Sequence, residues 1–297
     1  MIGSGARASG NLRSIYAMLV AVVFFAMMDT CMKLLSAHYP AMQVAALRSL
    51  SSLPLVCVYV VWRGAHRSLL RVRWPLHLFR AAIGIAMLSL FAYGVRTLPL
   101  AVAYSIFFIG PILITVLSVF VLKERVDARR WIAIAVGMGG VLVVLRPSGE
   151  GMLSLAGLAV LAAAVGYAVS AVYGRVLART DRSEHMVFWL MLFMSIGAGV
   201  LAAPGWVGVQ PQHLPLLAML AVSGFFAQLA ITEAFNHGEA SVVAPFEYTA
   251  LAFAVTIDWL MWQTLPDEYT LLGAAIIIGS GLYLIRHESA HAEAEHP

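Results

Sequence analysis

The chain has 297 residues, of which 61% are hydrophobic and only 11% are charged, with a formal net charge of +4. Soluble domains are roughly 45–50% apolar and about 25% charged, and a soluble chain of this size cannot bury so large an excess of apolar side chains. The composition excludes a soluble enzyme, a disulfide-bonded secreted scaffold and a disordered regulator. It indicates a polytopic membrane protein, in which basic residues orient the chain rather than bind nucleic acid.

The predicted elements are ten membrane-spanning helices joined by short loops. Continuous apolar runs, without the alternation of β-strands, indicate helices rather than an outer-membrane barrel. One span takes about 20 residues, so ten spans use most of the chain. In chain order the runs are 14–36, 42–62, 76–95, 100–122, 131–145, 152–173, 186–203, 214–235, 241–262 and 269–285. Small-residue stretches at 137–140 and 279–281 predict close helix contacts within the bundle.

The basic residues predict the orientation of these spans. With the N-terminus in the cytoplasm, all of the 19 Lys and Arg residues fall at cytoplasmic ends or loops except Lys33, Arg48, Arg96 and Arg146. Such an asymmetry follows the positive-inside rule. We therefore predict a multi-pass protein of the bacterial inner (cytoplasmic) membrane with both termini in the cytoplasm.

The two halves of the sequence resemble each other. A shift of 140 residues places Val102 on Val242 and Asp127 on Asp267, and a shift of 142 places Phe25 on Tyr167. Each half has five spans, an odd number, so the second half must cross the membrane in the opposite orientation. We predict inverted five-helix repeats at 1–147 and 148–286, followed by a cytoplasmic tail at 287–297. Such repeats are typical of transporters that alternate around a midplane site, although fold duplication without transport is an alternative.

Two segments resemble a known family. Residues 98–125, LPLAVAYSIFFIGPILITVLSVFVLKER, are similar to the fourth helix and following loop of the drug/metabolite transporter superfamily, and residues 238–262, GEASVVAPFEYTALAFAVTIDWLMW, are similar to its ninth helix. The resemblance covers almost the whole chain and best fits the ten-helix EamA-type branch, which includes bacterial amino-acid exporters. It implies a cavity lined mainly by helices one to four and six to nine. The acidic residue usual after the fourth helix is Glu124, whereas the corresponding position of the second half is Thr264, a departure from the pattern.

Charged side chains inside spans are costly and are therefore candidates for a binding site. Asp29 either pairs with Lys33 one turn further along its helix or faces the cavity. Arg48 either extends to the interface or binds a substrate carboxylate through its planar guanidinium. Glu247 follows Pro245, which removes a backbone hydrogen bond, and it forms either an ammonium or proton site or a structural hydrogen bond to a neighbouring helix.

Aromatic and amide side chains complete the predicted site. The 140-residue shift places Phe107 on Glu247 and Phe108 on Tyr248, and inverted repeats would bring these pairs to a pseudo-twofold axis near mid-membrane. The full predicted substrate-binding set is Glu247, Tyr248, Phe107, Phe108, Tyr104, Tyr93, Gln228, Arg48, Asp29 and Tyr167. The sequence contains no motif for a metal, a nucleotide or a catalytic nucleophile, so we expect no cofactor, no metal and no catalytic residue.

The predicted function is a secondary transporter that exports small amphipathic metabolites by alternating access, with aromatic or apolar amino acids as the leading substrates. One alternative is uptake of a nucleoside-like metabolite such as S-adenosylmethionine. A membrane-embedded enzyme would need a nucleophile or metal set, and a channel would need a continuous polar stripe. The expected partners are the substrate and the bilayer, with no nucleic acid, and the expected assembly is a monomer or a weak homodimer.

Overall fold

The structure, a computed structural model, describes residues 4–94, 98, 100–147, 153–263 and 267–294. Its helices are Ser4–Leu35, Ala41–Trp62, Trp74–Gly94, Leu100–Phe107, Gly110–Leu117, Ala128–Leu145, Leu155–Leu177, Ser183–Ala202, Leu214–His237, Ala240–Val243, Thr249–Trp262 and Glu268–Ala294. Within these ranges there is no strand, and ten helical stretches are long and apolar enough to cross a bilayer. The predicted all-α, ten-span fold is confirmed. We number the stretches spans 1 to 10 in chain order.

The fourth span is discontinuous. It consists of Leu100–Phe107, Gly110–Leu117 and a π-helical turn at Ser118–Leu122, rather than the single helix predicted at 100–122. The break falls just before Pro111, which has no N–H to continue the helical hydrogen bonds.

The ninth span is broken as well, close to the corresponding place. A 3-10 turn at Ala244–Tyr248 separates Ala240–Val243 from Thr249–Trp262. Pro245 lies in this turn, as the sequence predicted for a loosened helix. The 140-residue shift places the turn on residues 104–108, so its last residue coincides with the start of the break in span 4. Discontinuous spans of this kind surround the binding sites of many transporters.

The ends of the helices also follow the repeat. The Asp127 carboxylate accepts a hydrogen bond of 3.1 Å from a backbone N–H three residues on, at the start of span 5. Asp267 does the same for span 10 at 3.0 Å, so a carboxylate caps both helices. Lys123 and Gln263, which follow spans 4 and 9, both have positive φ angles of 58° and 53°. Each pair is separated by 140 residues, so the two halves share these local conformations.

The helices pack in pairs that the repeat relates. Span 1 packs on span 8, span 3 on span 6, span 2 on span 7 and span 5 on span 10. Exchanging the halves converts the first pair into the second and maps each of the other two pairs onto itself. This is the pattern expected of two halves related by a twofold axis.

Because the number of spans is even, the first and the last span have their outer ends on the same side of the bundle. We call this side the terminus side and the opposite side the far side. On the far side, Arg146 at the end of span 5 forms an ion pair with Asp267 at the start of span 10. Hydrogen bonds from Thr270 and then the Arg146 guanidinium lower the pKa of Asp267 to about 2. Spans 5 and 10 are therefore joined by a charged contact outside the membrane-spanning segments.

Candidate functional site

Six aromatic rings meet where spans 4 and 9 are broken. They belong to Phe91, Tyr104, Phe107, Phe108, Tyr167 and Tyr248, and we call them the ring cluster. Successive centroid distances are 5.8 Å for Phe91–Tyr104, 5.3 Å for Phe91–Phe107, 5.6 Å for Phe107–Tyr167, 6.5 Å for Tyr104–Phe108 and 6.2 Å for Phe108–Tyr248. All lie within the range of favourable aromatic pairs. The Phe108–Tyr248 contact joins two positions that the 140-residue shift relates.

Two glycines make room for these rings. A Cβ atom on Gly137 of span 5 would lie 2.7 Å from the Tyr248 ring, and one on Gly110 of span 4 would lie 3.2 Å from the Tyr167 ring. The first distance is a clash and the second is a tight contact. The absence of side chains at these positions therefore allows the rings to lie directly on neighbouring helices.

A carboxylate stands at the span 9 side of the ring cluster. The Glu247 carboxyl group interacts with the Tyr167 side chain, so Phe107 and Glu247, which the repeat relates, both contact Tyr167. Glu247 Oε1 is buried and has no hydrogen-bond partner among the residues that the structure describes, and the same is true of the Tyr248 hydroxyl. Buried polar atoms are normally paired. Two unpaired groups beside aromatic rings could bind a polar part of a ligand.

A pair of oppositely charged side chains lies at the other edge of the ring cluster. Asp29 of span 1 and Arg48 of span 2 interact electrostatically, and Asp29 also acts on Tyr104. The Arg48 guanidinium carbon lies 5.8 Å from the centre of the Phe25 ring. Asp29 is exposed and Tyr104 is 42% exposed, and Asp29 acts on residues of two other spans, Arg48 and Tyr104. This arrangement supports the alternative in which Asp29 faces the interior of the bundle.

The other two predicted residues lie apart from the ring cluster. Tyr93 is 45% exposed, and since residues two apart do not share a helix face, it points away from Phe91. Gln228 is buried in span 8, where its amide donates to Thr232 Oγ1 of the same helix at 3.5 Å. Among the described residues, Tyr93 forms no aromatic pair with a ring of the cluster.

Two aromatic residues at the site were missed by sequence reasoning. Phe25, which contacts Arg48, is the residue that the 142-residue shift places on Tyr167, so the repeat offered a signal for it. Phe91 offered none, because it is one apolar residue among many in span 3. The repeat thus relates an aromatic residue beside a cation, Phe25, to one beside a carboxylate, Tyr167.

A set of hydrogen bonds that we call the Glu124 clamp closes the bundle on the terminus side. The Glu124 carboxylate, just after span 4, accepts hydrogen bonds from the backbone N–H groups of Ala240 and Ser241 at 2.9 and 3.0 Å. It also accepts one from the Ser241 hydroxyl at 2.8 Å. These groups begin span 9, so one carboxylate caps that span and ties it to the first half of the chain. The position of Thr264, its counterpart, lies outside the described residues.

Two arginines reinforce this closure. Arg130 of span 5 forms an ion pair with Glu239, and Arg175 of span 6 donates to the carbonyl oxygens of Phe235 and Asn236 at the end of span 8. Cations at a helix C-terminus are stabilising because the last carbonyls are otherwise unpaired. The start of span 9 is therefore held from spans 4 and 5, and the end of span 8 from span 6.

We predict that Glu124→Gln weakens this closure. The amide retains one acceptor oxygen, whereas the carboxylate receives three hydrogen bonds, so the free energy of unfolding should fall by about 1 kcal/mol. A cysteine replacing buried Val242, in a chain without Cys31 and Cys57, should react faster with a thiol reagent applied from the terminus side. Glu268→Gln, at an exposed acid, is the control. Equal reactivity at Val242 in the two variants would contradict a gating role for Glu124.

Comparison with known proteins identifies the fold family. The sequence matches the family model of the EamA-like transporter family twice, over residues 12–146 and 154–286, and each match takes in five spans. The resemblance to drug/metabolite transporters is thereby confirmed. A solved crystal structure of a protein that is 20% identical superposes with a TM-score of 0.79 and covers 94% of this chain and 98% of that chain, so the fold is shared.

Relatives with named activities transport different metabolites. The S-adenosylmethionine uptake transporter of Rickettsia prowazekii is 25% identical and covers 94% of both chains. The pseudopaline exporter CntI of Pseudomonas aeruginosa is 27% identical, with 88% of this chain and 92% of the relative covered. The riboflavin transporter of Vibrio cholerae is 27% identical over 94% of both chains.

Proposed function

Because the chain belongs to the EamA-like transporter family, we propose that it exports small amphipathic metabolites, with aromatic or apolar amino acids as the leading substrates. The family and its relatives are transporters, which supports transport rather than membrane-embedded catalysis or passive conduction. The observation that carries the substrate class is the ring cluster with the unpaired Oε1 of Glu247 beside it.

Each part of an amino acid has a matching group in this arrangement. Glu247 receives the substrate ammonium group, because a carboxylate oxygen without a partner gains a charge-assisted hydrogen bond there. The ring cluster receives the apolar or aromatic side chain through stacked and edge-to-face contacts. Arg48 receives the carboxylate through its planar guanidinium, with Asp29 and Phe25 holding it in place. A site with an apolar wall and few, placed polar groups is the usual form of a small-molecule site.

The proposed transport cycle uses the two broken spans. Residues 1–147 and 148–286 act as inverted repeats that rock around the ring cluster, so that the site opens alternately to the two sides. In the structure the Glu124 clamp joins spans 4 and 9 on the terminus side, and we propose that the site is reached from the far side in this form. The excess of Lys and Arg on the terminus side supports an inner-membrane protein with both termini in the cytoplasm.

Uptake of a nucleoside-like metabolite is the second candidate. It is favoured by the likeness to the S-adenosylmethionine uptake transporter over 94% of the chain. A planar base would stack on the ring cluster as an aromatic side chain does, and a cationic group would pair with Glu247. The two candidates therefore use the same residues and differ in the substrate and in the direction of net transport.

The experiment is counterflow in liposomes that contain the purified chain. Vesicles preloaded with unlabelled phenylalanine, leucine, glutamate or S-adenosylmethionine are diluted into each labelled compound in turn. We expect accumulation of labelled phenylalanine and leucine, weak accumulation of glutamate because a second carboxylate would face Glu247, and inhibition by each of the accepted compounds. Accumulation of S-adenosylmethionine alone would select the second candidate.

Two controls accompany the counterflow measurement. Vesicles without protein report leakage, and the Glu268→Gln variant reports any effect of removing an exposed carboxylate. Absence of counterflow for all four compounds, with protein that shows a cooperative thermal transition, would contradict the proposed substrate class. It would leave the family assignment intact, because that assignment rests on the sequence match.

A further inference from the structure

A polar pocket of about 450 Å³ opens on the terminus side. It is lined by Asn11, Leu122, Lys123, Glu124, Arg125, Arg175, Arg179, His237 and Glu239. Its walls come from the ends of spans 1, 4, 6 and 8 and from the connections that follow spans 4 and 8. The pocket includes the Glu124 carboxylate and none of the residues of the ring cluster.

The acidic groups of this pocket are already engaged by the protein. The Glu124 carboxylate binds the start of span 9 through three hydrogen bonds. Glu239 forms its ion pair with Arg130. The Glu124 carboxylate is thus held by neutral donors and Glu239 by a cation of span 5, and both also act on Arg175 across the pocket.

Most of the basic groups of the pocket, in contrast, have no ion-pair partner among the described residues. Lys123, Arg125 and Arg179 are exposed and form no ion pair in the part of the chain that the structure describes. Arg175, near the end of span 6, is repelled by Arg179 in the turn that follows and attracted by Glu124 and Glu239. Two cations from the span 4–5 connection, one from span 6 and one from the turn after it therefore line one pocket, against the two carboxylates of Glu124 and Glu239.

We propose that this pocket binds a phosphate-bearing anion, held by Lys123, Arg125, Arg175 and Arg179. Arginine and lysine in such a group offer several donors to the oxygens of one phosphate, and arginine does so in bidentate geometry. The anion bridges the first half of the chain, through Lys123 and Arg125, to the second half, through Arg175 and Arg179. It therefore stabilises the form in which the terminus side is closed. Inorganic phosphate and the head group of an anionic phospholipid carry this same chemistry.

The test measures binding to the full-length purified chain in detergent. Inorganic phosphate is titrated against chloride at equal ionic strength, and short-chain phosphatidylglycerol is titrated against phosphatidylcholine. Saturable binding of phosphate identifies a soluble anion, and binding of phosphatidylglycerol alone identifies a lipid head group. Either result supports the site. In the Lys123→Gln/Arg179→Gln variant, the Kd of the bound probe should rise at least about tenfold, since charge-assisted hydrogen bonds are lost.

The control removes the same charge elsewhere on the same side. Arg67→Gln/Arg71→Gln changes two exposed cations between spans 2 and 3 and should leave binding unchanged. If the first double variant does not fold, Arg125→Gln takes its place. Absence of saturable binding of both probes, or an equal loss in the Arg67/Arg71 control, would overturn the proposal. Because the pocket lies outside the ring cluster, this result is independent of which metabolite is transported.

Discussion

Glu247→Gln is expected to weaken substrate binding by more than tenfold and to abolish measurable counterflow. The amide keeps the shape of the side chain but removes the charge that would hold a substrate ammonium group. Loss of one partner of a buried charge contact typically costs about 2–5 kcal/mol, and about 1.4 kcal/mol already corresponds to a factor of ten. The measurement is equilibrium binding of labelled phenylalanine to purified protein, followed by counterflow in liposomes.

A structural role for Glu247 makes a different prediction. If the carboxyl group served only to hold Tyr167, the variant would melt at a lower temperature and the remaining folded protein would bind substrate with normal affinity. Glu268→Gln provides the matched change at an exposed carboxylate. Unchanged binding and unchanged counterflow in folded Glu247→Gln protein would remove Glu247 from the site.

Gly140→Leu is expected to destabilise the bundle by about 3 kcal/mol, near the upper end for overpacking. A Cβ atom at Gly140 would lie 2.8 Å from Ile277 Cγ1 and 2.9 Å from the backbone oxygen of Gly273. The second contact is with the backbone, so it can be relieved only by moving spans 5 and 10 apart. The sequence predicted close contacts for the stretch 137–140, and Gly140 makes one.

The neighbouring residue supplies the control for this prediction. A Cβ atom at Gly139 meets nothing within 4 Å, so Gly139→Leu should leave the stability nearly unchanged. Both substitutions add the same side chain to the same helix, and their difference therefore measures the helix contact alone. Thermal unfolding of the two purified variants gives this difference, and equal melting temperatures would show that spans 5 and 10 do not depend on close packing at Gly140.

The spans and most of the ring cluster could be predicted because each depends on a regular property of the sequence. Uninterrupted apolarity marks a span wherever it lies, and the 140-residue repeat singles out Phe107, Phe108, Glu247 and Tyr248. Glu247 was also distinguished by its charge, since a carboxylate in an apolar run is unusual.

The remaining features depend on contacts between distant segments. Choosing Phe91 rather than Tyr93 requires knowing which face of span 3 points into the bundle. An apolar helix without a polar face does not reveal this orientation. Glu124 and Ala240, whose backbone N–H donates to the Glu124 carboxylate, are 116 residues apart. No local sequence pattern connects the two residues. The break in span 4 was missed because a proline near the middle of an apolar run is compatible with a kinked helix as well as with a broken one.

The position that corresponds to Glu124 in the second half is Thr264, which lacks a carboxylate. If the two sides differ for this reason in the free-energy cost of opening, a bias of about 2.7 kcal/mol would leave only about 1% of molecules open to the terminus side. A ligand that arrives from that side can bind only the molecules that are open to it, so its apparent affinity is lower in proportion to the fraction of open molecules. With the proposed orientation and export direction, the cell would lose metabolite only when its internal concentration is high.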